Sequence, residues 1–244
     1  MSHGASIRRS YLLCATPRSG SNFLCEVLRS TGLAGQPDEY FWNPPVWHER
    51  WGVADFPTYF RRLLREGTTA NGVFGSKLMW DQLEALVPQL AALLGRTDAH
   101  PPDVLAATFP NLHYVWLTRH DKVRQGISYY RALETKVWRS TDVPKAPPID
   151  PPFSFEAIQS LVRLSEWEDQ AWQDFFQQHG IEPLVVAYED LARAPEKVAR
   201  RIFRYLGISR WARGASRAWQ HQRQADALTD EWVDRYRALE RRAI

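Results

Sequence analysis

Cysteine is scarce in this sequence: the 244 residues include two, Cys14 and Cys25. Neither stands in a Cys-x-x-Cys pair or beside a histidine cluster, which argues against a zinc site. Both fall in apolar segments and are expected to be reduced core residues, as in most cytosolic proteins. Strong charge of one sign is also lacking. The net charge is +3, well short of the basic excess expected of a nucleic-acid binder. No stretch reaches the roughly 18 consecutive apolar residues of a membrane span. The opening segment, MSHGASIRRSY, has no apolar run, which predicts no signal peptide. Repeats and low-complexity runs are missing, apart from five prolines between 144 and 152. A cytoplasmic protein without membrane or nucleic-acid partners is expected.

What is present suits one sizeable core: 44% of residues are hydrophobic and 24% charged. A single domain over 1–244 is expected, with 140–153 as a proline-rich linker or lid. Aromatics are plentiful, with eleven tryptophans. Most belong in the core, and a few remain for stacking on a base or a sugar ring.

Short apolar runs alternate with amphipathic ones. SYLLCAT (10–16), NGVFGSK (71–77), LHYVWLTR (112–119) and PLVVAYE (183–189) read as strands. Helices are expected after 21, over 81–94, from Asp121 to about 137, from Ser154 to Gly180, over 195–206 and at the end of the chain. Residues 32–58 show no clear period and read as an irregular excursion. The alternation predicts an α/β fold, a mostly parallel central sheet with helices on both faces. Ligands of such sheets bind outside the carboxyl ends of the strands. The loop around Arg18, Lys77 and Arg119 all fall at those ends.

The segment LLCATPRSGSNFLCEVLRS is a strand, a turn and a helix. Gly20 permits a tight turn. The N–H groups of Ser19 to Asn22 and the helix dipole suit an anion. Ser19, Ser21 and Asn22 add hydrogen bonds, and Arg18 adds a positive fork. The loop lacks the Gly-Lys-Ser/Thr ending of a nucleotide triphosphatase. Further on, Arg119 closes a strand and Ser128 sits about two turns into the next helix. Together they suit a second phosphate.

TPRSGSNF together with LTR…S…R resembles the sulfotransferases that use 3′-phosphoadenosine 5′-phosphosulfate (PAPS). The resemblance implies a P-loop NTPase-like fold, a first loop for the 5′-phosphosulfate, and Arg119 and Ser128 for the 3′-phosphate. It also brings Tyr188, in AYEDL, near the nucleotide. GLAGQPDEYF, NGVFGSKLMWDQ, YYRALETKVWR and RQADALTDEWVDRYR look like the mycobacterial trehalose sulfotransferase branch. That branch implies a late loop over the 3′-phosphate, here Arg223 and Gln224, and a homodimer.

Sulfuryl transfer needs positioned cations and N–H donors, plus a base for the acceptor proton. Arg18 and Lys77 are the donor-side cations, so no metal is required. A structural salt bridge is the alternative role for Lys77. The cytosolic enzymes of eukaryotes place a histidine shortly after this lysine; here Leu78, Met79 and Trp80 follow. The trehalose branch implies Glu39 as the base, with His48 as the fallback. The aromatic residues after Glu39 are expected to raise its proton affinity by desolvation. The acceptor pocket is expected to be lined by Pro17, Gln36, Pro37, Asp38, Glu39, Tyr40, Phe41, Trp42 and Trp51, with Trp47 a further stacking candidate. Pro17 and Gln36 stand where the branch implies glutamine and glutamate. Another sugar, a glycolipid or a small alcohol is therefore open as acceptor. The rival readings are a P-loop phosphotransferase and a non-catalytic nucleotide-binding module.

Overall fold

A computed structural model describes residues 6–41, 51–98, 100–138, 150–209 and 227–242. Four parallel strands form one sheet in the order β2-β1-β3-β4. They are β1 (Arg9–Ala15), β2 (Val73–Met79), β3 (Leu112–Thr118) and β4 (Leu184–Ala187). The register aligns Ala15 with Met79 on one side and with Leu117 on the other. The carboxyl ends of the three longer strands therefore open on one edge.

Alternation along β1 builds the two sides of the core. Tyr11, Leu13 and Ala15 face one side, packed against α1 (Ser21–Ser30) and α8 (Pro195–Tyr205). Leu12 and Cys14 face the other, against α3 (Trp80–Leu93), α4 (Pro101–Thr108) and α6 (Phe155–Gln178). Burial pushes the Cys14 thiol up, and the Cys25 thiol up to about 11, so neither supplies a thiolate near neutral pH. A third apolar cluster joins α5 (Lys122–Thr135) and α6 to α9 (Ala227–Glu240) through Ile127, Ile158, Trp232 and Tyr236.

Local chemistry sets the helix boundaries. Asp121 accepts from the Arg124 N–H at 2.9 Å and starts α5. Ser154 does the same for α6 through Ala157 at 3.3 Å. Gly180 follows α6 with φ 60°, the left-handed turn a glycine allows. In α3, Leu83, Leu86, Val87 and Leu90 are buried, but the helix stops at Leu93 and Leu94 is 39% exposed.

Three segments depart from the sequence expectation. Part of the region read as irregular belongs to α2 (Phe56–Glu66), where Asp55 caps the Thr58 N–H and Tyr59, Phe60 and Leu63 are buried. Helix α4 was not expected; Pro101 and Pro102 occupy its first positions, where no backbone donor is needed. The strand expected over 183–189 ends at Ala187, and Tyr188 opens a short helix, α7 (Tyr188–Arg193). No helix among the described residues is long and apolar enough to cross a membrane.

Candidate active site

The chain leaves β1 at Ala15, turns through Thr16–Gly20 and enters α1. Gly20 is the N-cap with φ 94°, and no side chain caps the helix. Its first amides are therefore available to a ligand, at the positive end of the helix dipole. The Ser19 N–H is not among them, because it closes the turn on the Thr16 carbonyl at 3.2 Å. The Ser19 hydroxyl is fully buried and has no hydrogen-bond partner among the described residues. A buried hydroxyl in that state is costly and marks a place where a ligand oxygen fits.

Neighbouring elements brace the turn. Gln125 of α5 donates to the Thr16 hydroxyl at 2.8 Å and to the Pro17 carbonyl at 2.7 Å. Arg18 adopts the left-handed backbone with φ 60°. Its Nε donates to the Ser128 hydroxyl at 3.0 Å, and its Nη1 donates to the Trp138 carbonyl. The Arg119 guanidinium donates back to the Arg18 carbonyl at 3.2 Å. The two segments expected to hold anions therefore meet in one region, joined through Arg18.

Arg119 lies 4.5 Å above the Tyr188 ring, a cation–π arrangement. The same ring closes on Gly20: a Cβ built there would stand 2.4 Å from Tyr188 Cδ2. The order Gly20, Tyr188, Arg119 is thus fixed by contact. Desolvation lowers the Arg119 pKa from its ordinary value, with Tyr188, Asp121 and Glu189 acting in the opposite direction. Its Nε is buried without a partner, and no carboxylate pairs with it among the described residues. A partly buried arginine whose Nε is shielded and unpaired suits an anionic ligand.

Across the sheet edge, Lys77 reaches upward from β2, two residues before its end. Its side chain is 1% exposed. The ammonium lies 2.7 Å from Asn22 Oδ1, at the start of α1, and 2.6 Å from Glu39 Oε2. The salt bridge considered for Lys77 is present, and its partner is the candidate base. Gln82 donates to Glu39 Oε1 at 2.8 Å, and its own Oε1 accepts from the Met79 N–H at 3.2 Å.

Of the three aromatic residues that follow Glu39, two are described. Tyr40 and Phe41 are 5% and 6% exposed and pack into the core, and the Tyr40 carbonyl accepts from the Tyr59 hydroxyl. Trp51 is partly buried, 5.5 Å from Tyr59 by ring centroid, with Arg62 above it. Asp38 is held by Arg29 at 3.7 Å and accepts from the Glu39 N–H at 2.9 Å. Pro37 is buried, its carbonyl accepting from Arg29 at 2.7 Å; the Gln36 N–H donates to Gly67 at 2.9 Å. Trp42, Trp47, His48, Arg223, Gln224 and nearly all of the expected proline-rich linker lie outside the described residues.

Sequence reasoning missed Gln82 and Gln125, which position Glu39 and the loop. Gln82 is recognisable as the third residue of a helix, where a glutamine can return to the cap. Gln125 is harder to see, because the two loop groups to which its amide donates are more than 100 positions away.

The family model described as Stf0 sulphotransferase matches residues 10–239. The chain is 33% identical over 263 aligned positions to trehalose 2-sulfotransferase of Mycobacterium tuberculosis (strain ATCC 35801 / TMC 107 / Erdman), covering 94% of this chain and 95% of that one. It is 31% identical over 258 positions to trehalose 2-sulfotransferase of Mycolicibacterium smegmatis, covering 93% and 94%. Among solved structures, the sulfotransferase domain from the Synechococcus PCC 7002 olefin synthase aligns with a TM-score of 0.46 at 16% identity, over 97% of each chain.

Proposed function

This chain belongs to the Stf0 sulphotransferase family, and we propose that it moves a sulfuryl group from PAPS to a hydroxyl of a carbohydrate or another small alcohol or glycolipid, with Glu39 as general base. When bound, PAPS supplies the sulfuryl group already activated as a mixed phosphate–sulfate anhydride. The site residues suit its two anionic ends. The uncapped start of α1, Ser19 and Arg18 serve the 5′ end; Arg119 and Ser128 serve the 3′-phosphate, beside Tyr188. Ser19 Oγ and Arg119 Nε, both buried donors without partners among the described residues, would each gain an acceptor from a phosphate oxygen.

The observation that carries the reading is the relay Asn22–Lys77–Glu39, with links of 2.7 Å and 2.6 Å. It ties the start of the anion-binding helix to a carboxylate through one buried cation. In an in-line transfer, Glu39 takes the proton of the acceptor hydroxyl as the new O–S bond forms. Lys77 and the helix amides offset the charge left on the departing phosphate oxygen. A positioned base contributes about 10²–10⁴-fold, and removing one preorganised donor costs about 10²–10³-fold. Gln82 orients the carboxylate.

The curated relatives named above act on trehalose, which makes it the first acceptor to try. The test is transfer from PAPS to trehalose and a panel of hydroxyl compounds, with products followed by mass. Adenosine 3′,5′-bisphosphate should raise the melting temperature more than ATP does, since filling a site at 100 times its dissociation constant stabilises by about 2.7 kcal/mol. A preference for ATP would remove the sulfotransferase assignment.

A further inference from the structure

A chain of polar contacts runs from α6 through α5 to the turn Thr16–Gly20. Gly126 of α5 lets the two helices approach closely: a Cβ built there would stand 2.6 Å from Val162 Cγ2 and 3.1 Å from the Val162 backbone nitrogen. On α6, Asp169 Oδ2 accepts from the Thr118 hydroxyl at 2.6 Å, at the end of β3, and pairs with the Lys122 ammonium at the start of α5. Lys122 Nζ also donates to Gln125 Oε1 at 3.3 Å, one helical turn on. Gln125 is fully buried and reaches the Thr16 hydroxyl and the Pro17 carbonyl through Nε2. Three residues beyond Asp169, the Trp172 indole donates to the Ala15 carbonyl at 3.1 Å, where β1 enters the turn. Glu168, beside Asp169, is 5% exposed, with its Oε2 unpaired among the described residues.

The links between Lys122 and Pro17 have fixed directions. An ammonium only donates, and a backbone carbonyl only accepts. Lys122 therefore requires Gln125 to present its oxygen, and Pro17 requires it to present its nitrogen. One orientation of the amide meets both demands. Turned over, it would set Nε2 against the ammonium and Oε1 against the Pro17 carbonyl, two unfavourable pairs in a buried place. Asp169 holds Lys122 there and balances its charge. With the Pro17 carbonyl held toward Gln125, the Arg18 N–H points the other way, because the two are antiparallel across a trans peptide. Arg18 itself shows that the turn needs holding. Its φ of 60° is a left-handed conformation that is costly for a residue other than glycine and persists where the surroundings impose it. Gln125 grips the carbonyl before Arg18, and Arg119 grips the carbonyl after it.

We propose that Lys122 and Asp169 are positioning residues for the donor site: acting through the Gln125 amide, they hold the Thr16–Gly20 turn in its strained shape before the ligand arrives. The identity of that ligand rests on the sulfotransferase reading; the positioning role does not. Both residues stand behind the turn, and neither has to touch the donor. A turn ordered in advance leaves less to be ordered on binding, so losing the support weakens the anion that the turn receives. That anion is the 5′ end of the donor, and the 3′ end, assigned to Arg119 and Ser128, is affected far less.

The test is a double-variant cycle read by calorimetric titration with adenosine 3′,5′-bisphosphate and with adenosine 3′-phosphate, which lacks the 5′ group. Lys122→Met and Gln125→Leu should each weaken the bisphosphate about tenfold and adenosine 3′-phosphate by no more than about twofold. Combined, they should lose little beyond Gln125→Leu alone, because Lys122 acts through Gln125. In turnover, Lys122→Met should raise the KM for PAPS more than it lowers kcat. Losses that multiply to about a hundredfold in the double variant overturn the proposal. So does an unchanged bisphosphate Kd in Lys122→Met, or an equal loss for both nucleotides. Lys122→Met leaves Asp169 buried without its cation; should it fail to fold, Lys122→Met combined with Asp169→Asn takes its place. Should Gln125→Leu fail to fold, the two nucleotides compared in the lysine variant still decide. A wild type that prefers ATP to the bisphosphate removes the sulfotransferase reading, and the same cycle run with ATP then decides the positioning role by itself. A wild type that binds neither nucleotide removes both.

Discussion

The Lys77 ammonium stands 2.6 Å from the Glu39 carboxylate, with 1% of the lysine side chain exposed. Removing either partner leaves the other charge in a poorly solvated place, so the two substitutions are expected to differ in kind. Glu39→Gln keeps the shape and a hydrogen-bond acceptor for Lys77. It should bind adenosine 3′,5′-bisphosphate like wild type while turnover falls about 10²–10⁴-fold. Lys77→Met should lower both turnover and melting temperature, because breaking a buried pair from one side costs about 3–5 kcal/mol. Single-turnover rates beside thermal melts separate the two. Normal turnover in Glu39→Gln would exclude Glu39 as the base.

Arg119 is expected to discriminate nucleotides. With Arg119 proposed to hold the 3′-phosphate, Arg119→Ala should weaken adenosine 3′,5′-bisphosphate at least tenfold and leave binding of adenosine 5′-phosphate nearly unchanged. Arg119→Lys should not restore the difference, since an ammonium cannot reproduce the planar fork over Tyr188. Calorimetric titration with the two nucleotides reads this directly. Equal losses for both would place Arg119 elsewhere on the nucleotide.

Gly20 has two reasons to be glycine. Its φ is 94°, and an added Cβ would meet the Tyr188 ring at 2.4 Å. Gly20→Ala should therefore reduce bisphosphate binding and melting temperature together. Replacing Tyr188 by alanine in the same chain removes the clash but not the backbone strain, so the double variant should recover only part of the loss. Full recovery would mean that the ring contact alone matters there.

Glu168 should leave a mark on stability as a function of pH. Burial, then Asp81 and Asp169, raise its carboxyl from 4.5 to about 7 in the folded chain, against Lys122; after desolvation, the Glu168 charge raises the Tyr129 hydroxyl in turn. The folded state thus favours the neutral form. Its contribution to stability is complete below the ordinary glutamate pKa and declines as pH rises from about 4.5 to about 7. The cost above that range is on the order of 3 kcal/mol. Glu168→Gln avoids it and should melt several degrees above wild type at pH 8, with the gap closing near pH 5. A gap that is the same at both pH values would show that ionisation of Glu168 is not its source.

The sequence disclosed the local parts of this molecule more fully than the long-range ones. Strand runs such as LLCAT and VWLT, and the caps Asp121 and Ser154, act within a few residues, and all of them appear in the structure. Helix α2 was hidden because its start lies in a stretch crowded with tryptophan, proline and glycine, where no period emerges. At the site, Arg18 and Arg119 were recognisable because they follow strands, and Lys77 because it lies near the end of one. Tyr188 was read as the end of a strand, whereas the contacts that define it, to Gly20 and Arg119, come from other elements. Glu168 was not singled out at all. On an amphipathic helix it looks like one more charged residue, and only the packing of Trp172 on Ala15 and Trp80 reveals that its face turns inward.

Helix α6 meets the carboxyl end of β1 through Trp172, whose indole donates to the Ala15 carbonyl, and it carries the buried Glu168 four residues earlier on the same rod. The spacing between that anchor and the buried carboxyl is thereby locked to about one helical turn. Sliding the rod along its axis would break the anchor beneath the turn that follows β1. Side-chain changes along a stationary helix should therefore be tolerated more readily than shifts of its register, and insertions should gather in the connections on either side of it.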